Sequence, residues 1–343
     1  MDSILFWNAV ALEANRVSHS DPGKREQTGP TLSSRALAIV HLAMYDAYAG
    51  IVGGMGFPRY LVPPPPKIGT SARDAVAGAA YTTLVMLYKT QKDFFDAQLS
   101  CFNTANPSYG FGVTVGNTIL LLRANDMDAR DCGYLVSLKR GRHRVDPDNP
   151  GQGYYSPYYG AQLKGFAITE RHGLQPPPST NGTDPKYLQA LEQVRAKGIR
   201  PDLTGTLPND LFDDRRSALE TLIGIYWAYE GTNRIGTPPR FYNQIIRLLA
   251  EQQNNTEGEN ARLFAFVNAA MGDAGILAWE QKYCHDFWRP VVGIREHDET
   301  LGPLAPFPGV NVSFNDGDPN WLPLAGPSTN MPDVKNMTPA FPA

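Results

Sequence analysis

The sequence predicts an all-α protein of about eight helices, the longer ones packed as a bundle. Three observations carry that expectation. Apolar residues recur at three- and four-residue steps through most of the chain, which lines them along one face of a helix. Strict apolar–polar alternation, the mark of a half-buried strand, is scarce. The irregular, proline-rich sequence is confined to two stretches, 141–209 and 299–343. No internal repeat at solenoid or propeller spacing is present.

The periodic segments are taken in chain order. Ile4–Val17 is the first, followed by Ala36–Tyr48 and Ala75–Tyr88. Asp93–Phe102 and Val113–Arg123 continue the trend, so residues 1–140 read as the N-terminal helices of a first bundle. Residues 141–209 break the pattern with Asp146-Pro-Asp-Asn-Pro150, the tyrosine-rich run 154–159 and Pro176-Pro-Pro178. Flexible linkers seldom carry so many aromatics, so this region reads as a long ordered loop or a lid. Periodicity returns at Asp210–Tyr229, Phe241–Gln252 and Ala261–Trp288, which makes 210–298 a second helical region. Residues 299–343 are rich in proline and glycine and end on Thr338-Pro-Ala-Phe341-Pro-Ala343 without a closing helix.

Composition narrows the function classes. The chain has 343 residues, 42% hydrophobic and 19% charged, with a formal net charge of −3. That is a soluble globular balance, long enough for a large core or two domains. It lacks the concentrated positive charge that nucleic-acid backbones require; the basic run Lys139–Arg144 reads as a loop. No apolar stretch is expected to reach bilayer length. The N-terminus shows no basic region followed by a long apolar core, so no signal peptide is visible and compartment stays open. Cys101, Cys132 and Cys284 form no CxxC pair and no zinc pattern, which leaves one disulfide or, as the leading expectation, three buried thiols.

The chemistry concentrates in Trp279-Glu-Gln-Lys282-Tyr-Cys-His-Asp-Phe-Trp-Arg289-Pro290. Seven helical residues are almost two turns, which would place Lys282 and Arg289 on one face, about 10 Å apart along the axis. Arginine offers a planar donor fork and lysine a mobile point charge, so the two arms suit one tetrahedral oxyanion. Pro290 disfavours helical geometry at Arg289, which puts the fork where the helix ends. A solvated basic face is the plainer reading of such a pair. Trp279, Phe287 and Trp288 around it argue against simple exposure.

Lys282-x6-Arg289-Pro290 resembles the first signature of the vanadium-dependent haloperoxidases, which share an ancestry with soluble acid phosphatases and lipid phosphate phosphatases. The resemblance extends further in the same order. Leu5-Phe-Trp-Asn8, Glu13–His19 and Gly29–Leu37 are similar to the start of the fungal-type chloroperoxidases. So are His41–Tyr48, Trp227-Ala-Tyr-Glu230-Gly and Ile235–Asn243.

The resemblance implies an all-α helical protein, of which this chain is the first part of a two-bundle architecture with vanadate as cofactor. It implies vanadate-binding roles for Lys282 and Arg289 and a halide pocket containing Trp279 and Phe341. The family's aspartate that supports an active-site arginine falls at Glu230, one methylene longer. The family's second signature, Tyr-Pro-Ser-Gly-His, and its third, with the vanadium-ligating histidine, have no counterpart here. None of the six histidines replaces them by motif, so no metal ligand is assigned within the chain. His285 and His297 read as ordinary polar residues and His41 as a satisfied core or inter-helix histidine.

The implied activity is oxidation of halide by hydrogen peroxide to hypohalous acid, for halogenation of small organic substrates. Bromide is the easier halide, and Phe341, where seaweed-type enzymes carry histidine, gives the pocket a chloroperoxidase look. The chain is expected to supply part of the site and to need a C-terminal fragment or second chain bearing Pro-Ser-Gly-His and the ligating histidine. The rival readings are a vanadate-inhibited acid phosphatase of the same superfamily and a chain that is non-catalytic alone. No nucleic acid or membrane is expected as partner, and a homo-oligomer is compatible.

Overall fold

The computed structural model describes residues 1–126, 135–144, 159–171, 173–180, 183–227, 235–308, 310 and 316–324. Among these the α-helices run α1 (Ser3–Ser20), α2 (Gly29–Val52), α3 (Ala72–Leu87), α4 (Lys92–Gln98), α5 (Pro107–Leu122), α6 (Tyr159–Gln162), α7 (Pro185–Gly198), α8 (Asn209–Phe212), α9 (Ala218–Trp227), α10 (Pro238–Gln252), α11 (Glu257–His285) and α12 (Pro290–Arg295). The only extended pairing among them is two isolated antiparallel bridges, Arg142 with Phe287 and Ile199 with Pro323. The all-α expectation holds. The chain divides into two units, Met1–Asp128 with Tyr159–Arg171 and Asn233–Ala278, and Ala129–Tyr158 with His172–Thr232 and Trp279–Ala343.

The first unit is a helical bundle built around α2. That helix is apolar on nearly every side, and Ala36 to Val40 are fully buried among α1, α3 and α5. α1 starts at Asp2, whose carboxylate accepts the Leu5 N–H at 2.9 Å, satisfying one orphan donor of the first turn. α3 and α5 approach closely enough that a Cβ on Gly112 would strike the Ala75 carbonyl and one on Gly78 the Tyr109 carbonyl. A buried polar layer crosses this core. Asn8 pairs with His41 at 2.9 Å and donates to Asn243 at 3.1 Å, and Asn243 donates to Asn268 at 2.8 Å. His41 also meets the Leu37 carbonyl at 2.7 Å, so it is the satisfied inter-helix histidine expected.

The second unit has its own core. Tyr187, Ile199 and Leu207 pack with Trp288, Val291, Val292, Ile294 and Trp321. The Trp321 indole donates to the Arg195 carbonyl at 3.1 Å, and Arg295 donates to the Trp321 carbonyl at 2.8 Å.

Several expectations are corrected. The region 141–209, read as loop or lid, contains α7. Its cap Asp184 accepts the Lys186 N–H at 2.9 Å, Pro185 opens the first turn, and Tyr187, Leu188, Leu191 and Val194 face the core. The single helix expected over Asp210–Tyr229 is two, α8 and α9. Among the described residues two helices, α2 and α11, are long and apolar enough to cross a membrane by length and composition, against the expectation of none; 83% of the apolar 18-residue window of α2 is buried in the bundle. Cys101 and Cys284 are exposed free thiols rather than buried ones; Cys132 lies outside the described residues.

Candidate active site

The site begins where α11 stops. The helix ends at His285, and Asp286 takes a left-handed conformation with φ 49°, its N–H donating to the Lys282 carbonyl at 3.1 Å. Left-handed backbone is costly for a side chain with Cβ, and Asp is among the residues that tolerate it. The chain then turns extended and is clamped by residues 141–143. His143 N–H donates to the Asp286 carbonyl at 2.9 Å, and Trp288 N–H to the Gly141 carbonyl at 3.0 Å.

Arg289 is therefore not on the helix that carries Lys282. The expectation that the two share one helical face is wrong, because the helix breaks at Asp286 three residues before the arginine. Pro290 does keep Arg289 out of helical geometry as expected, although the helix has already ended at His285. Arg289 is extended, with φ −76° and ψ 153°, and is the N-cap of α12, whose first residue is Pro290. Its carbonyl accepts the N–H groups of Val292 at 3.0 Å and Gly293 at 2.9 Å. The guanidinium thus hangs from a backbone fixed on both sides.

Trp288 sets that backbone in the core, and Arg140 covers it. The Arg140 guanidinium lies 5.2 Å from the Trp288 ring centroid and donates to the carbonyls of Glu296 and His297, the latter at 2.6 Å. Arg144, also buried, pairs with Glu296. Residues 139–144 are thus a non-helical segment as read, yet two of their arginines are structural.

Lys282, Arg289, Trp279 and His143 line one cavity of about 480 Å³. Trp279 is 3% exposed, and the Lys282 ammonium sits 3.9 Å from its ring centroid. A cation over an indole face at this distance is held electrostatically by the ring quadrupole. His143 is pushed down to about 4, first by burial and then by the charges of Arg289 and Lys282. At neutral pH it is an uncharged imidazole. Lys282 and Arg289 are the charged side chains among the described lining residues, a donor pair that suits an anion. Among the described residues, no group of three or more His, Cys, Asp or Glu side chains could hold a metal ion.

Three of the five sequence-predicted site residues, Trp279, Lys282 and Arg289, come together here; Glu230 and Phe341 lie outside the described residues. His285 also lines the cavity, bonded to Gln281 at 3.1 Å. His297 is bound to Asp316 at 2.6 Å. His143 was missed. Its place depends on backbone pairing between 141–143 and 286–288, which leaves no periodic trace; its only signal was a histidine inside a basic run.

Known proteins match both regions. Residues 1–153 match the family of the vanadium chloroperoxidase N-terminal domain, and residues 262–342 the second helical-bundle domain of the same enzymes. The chain is 35% identical over 404 residues to the vanadium chloroperoxidase of Curvularia inaequalis, covering 99% of this chain and 62% of that protein. Among solved structures it is similar to the first bacterial vanadium-dependent iodoperoxidase, with a TM-score of 0.65 at 18% identity over 85% of this chain and 72% of that one. A holo-type bacterial vanadium-dependent chloroperoxidase follows at 0.53 and 14% identity, over 82% and 67%. These structural likenesses speak to the fold.

Proposed function

Because the chain belongs to the vanadium-dependent haloperoxidase family, we propose that Lys282 and Arg289 hold vanadate and that the protein oxidises halide with hydrogen peroxide to hypohalous acid. The observation that carries this reading is the pairing of Lys282 and Arg289 on one cavity, with a buried indole under the lysine. That donor set suits a multiply charged oxyanion. When bound, vanadate supplies a Lewis acid that makes peroxide electrophilic without changing its own oxidation state.

The residues of this chain then have distinct tasks. Arg289 neutralises two oxygens through its fork, and its capped backbone spares it reorganisation. Lys282 supplies a point charge whose arm Trp279 keeps in place. Trp279 offers an apolar wall against which a halide sheds water. The resemblance assigns the same role to Phe341 and a supporting role to Glu230, both outside the described residues. His143, being uncharged, adds no third positive charge.

In this reading the serine, glycine and histidine contacts of the second signature, and the histidine that ligates vanadium, come from residues other than these 343. They sit on a C-terminal continuation or on a second polypeptide. Bromide is oxidised readily, and the phenylalanine at 341 favours chloride as a further substrate.

A phosphate monoester would also satisfy the cation pair, so an acid phosphatase inhibited by vanadate is the second reading. The test is an assay of the protein together with the polypeptide bearing the second signature, given bromide and peroxide. Vanadate-dependent bromination that disappears in Lys282→Ala supports the proposal. Phosphate-ester hydrolysis that vanadate merely inhibits, with no bromination, supports the phosphatase.

A further inference from the structure

Asp286, Phe287 and Trp288 join the end of α11 to Arg289. An antiparallel bridge between Arg142 and Phe287 holds this strip. Trp288 N–H donates to the Gly141 carbonyl at 3.0 Å, and His143 N–H to the Asp286 carbonyl at 2.9 Å. Arg289 follows one peptide later. The clamping residues leave a tight turn that the Arg142 N–H closes on the Lys139 carbonyl at 3.2 Å. Gly141 stands third in that turn with φ 80°, in the left-handed backbone that glycine adopts without penalty. A Cβ there would also strike the Thr180 hydroxyl. Turn and clamp therefore share one residue, and the left-handed turn aims its carbonyl at Trp288.

We infer that Gly141 is a positioning residue for the oxyanion site: its left-handed turn fixes the peptide strip from which the Arg289 fork is presented. The inference rests on the reading of Arg289 as an oxyanion ligand. A fork that grips two oxygens tolerates little displacement, because both N–H groups must stay aligned at once. Lys282 stands apart from this device. It is carried by α11, ahead of the break at Asp286, and its ammonium is seated on Trp279 of the same helix. A disturbance at Gly141 thus reaches the fork and spares the lysine. Loss of the Arg289 contribution with that of Lys282 intact separates positioning from general loosening of the fold.

The experiment is a double-mutant cycle read by equilibrium binding of orthovanadate to the full chain. Gly141→Val puts a β-branched side chain into left-handed backbone and is expected to weaken binding by about threefold or more. The same factor should appear in Lys282→Ala, but less than about 1.5-fold in Arg289→Ala, where no fork is left to misplace. Gly141→Asn combined with Thr180→Ala should restore affinity to within about twofold of wild type, since asparagine tolerates left-handed backbone and the shorter neighbour makes room. Near-UV circular dichroism verifies that each variant is folded; if Gly141→Val is not, Gly141→Ala runs through the same cycle with the same background dependence expected. A folded Gly141 variant with unchanged vanadate affinity overturns the inference alone. So does an equal loss in the Arg289→Ala background. Vanadate binding indifferent to Arg289→Ala itself overturns instead the reading on which the inference rests.

Discussion

The ammonium of Lys282 rests 3.9 Å from the centroid of the Trp279 indole. One turn of helix separates the two residues, so α11 alone sets the pairing and the cation is positioned before any anion arrives. Contacts of this kind contribute roughly 0.5–2 kcal/mol. Trp279→Ala should therefore weaken oxyanion binding by about 2- to 30-fold, with Trp279→Phe in between. Calorimetric titration with vanadate checks the order. Equal affinities in all three proteins would mean that the indole does not position the lysine.

His143 reports on the cation pair. Its depression to about 4 comes from burial first and from Arg289 and Lys282 next. Removing the Arg289 charge should raise it, and so should saturating phosphate, which offsets both cations. Histidine NMR titration reads both effects. A His143 that titrates identically in wild type and Arg289→Ala would separate it from the site.

Acid should unfold the first unit in a defined window. His19 and His41 are buried and held down to about 4, in each case chiefly by burial, from an ordinary 6.5. The unfolded chain takes up protons near 6.5 while the folded chain resists until about 4. Their contribution is therefore complete above pH 6.5 and drains away as pH falls toward 4, on the order of 3 kcal/mol for each. His19 adds to the cost because neither ring nitrogen has a hydrogen-bond partner. Melting temperature should drop steeply between those pH values, and less so in His19→Phe. A flat profile over that range would contradict the assignment.

Arg140 should matter to stability more than to chemistry. It covers Trp288 and donates to two carbonyls, so Arg140→Ala should cost about 2–4 kcal/mol. Denaturant unfolding measures this, and a change below ~0.5 kcal/mol would sink the structural role.

Much of this was legible in the sequence. α1, α2, α3, α5, α10 and α11 follow from apolar spacing, and Pro290 announces the extended backbone at Arg289. The helix break at Asp286 was not legible, because an aspartate in left-handed geometry looks like any helical aspartate until the chain beyond it is clamped. α7 carried a readable cap and first-turn proline but was overshadowed by the prolines and tyrosines before it. His143 and Arg140 act through long-range backbone pairing and carbonyl contacts, which no local pattern encodes. The pairing of Lys282 with Arg289 was read from spacing for the wrong reason: a turn and a new helix, rather than one face, bring both to the cavity.

The measurement that bears most directly on the oxyanion site is equilibrium binding of vanadate to the wild-type chain, Lys282→Ala and Arg289→Ala. Saturable binding that falls at least tenfold in each folded variant, with the larger loss at Arg289, is the predicted result. Binding of equal strength in all three would place the oxyanion elsewhere in the molecule.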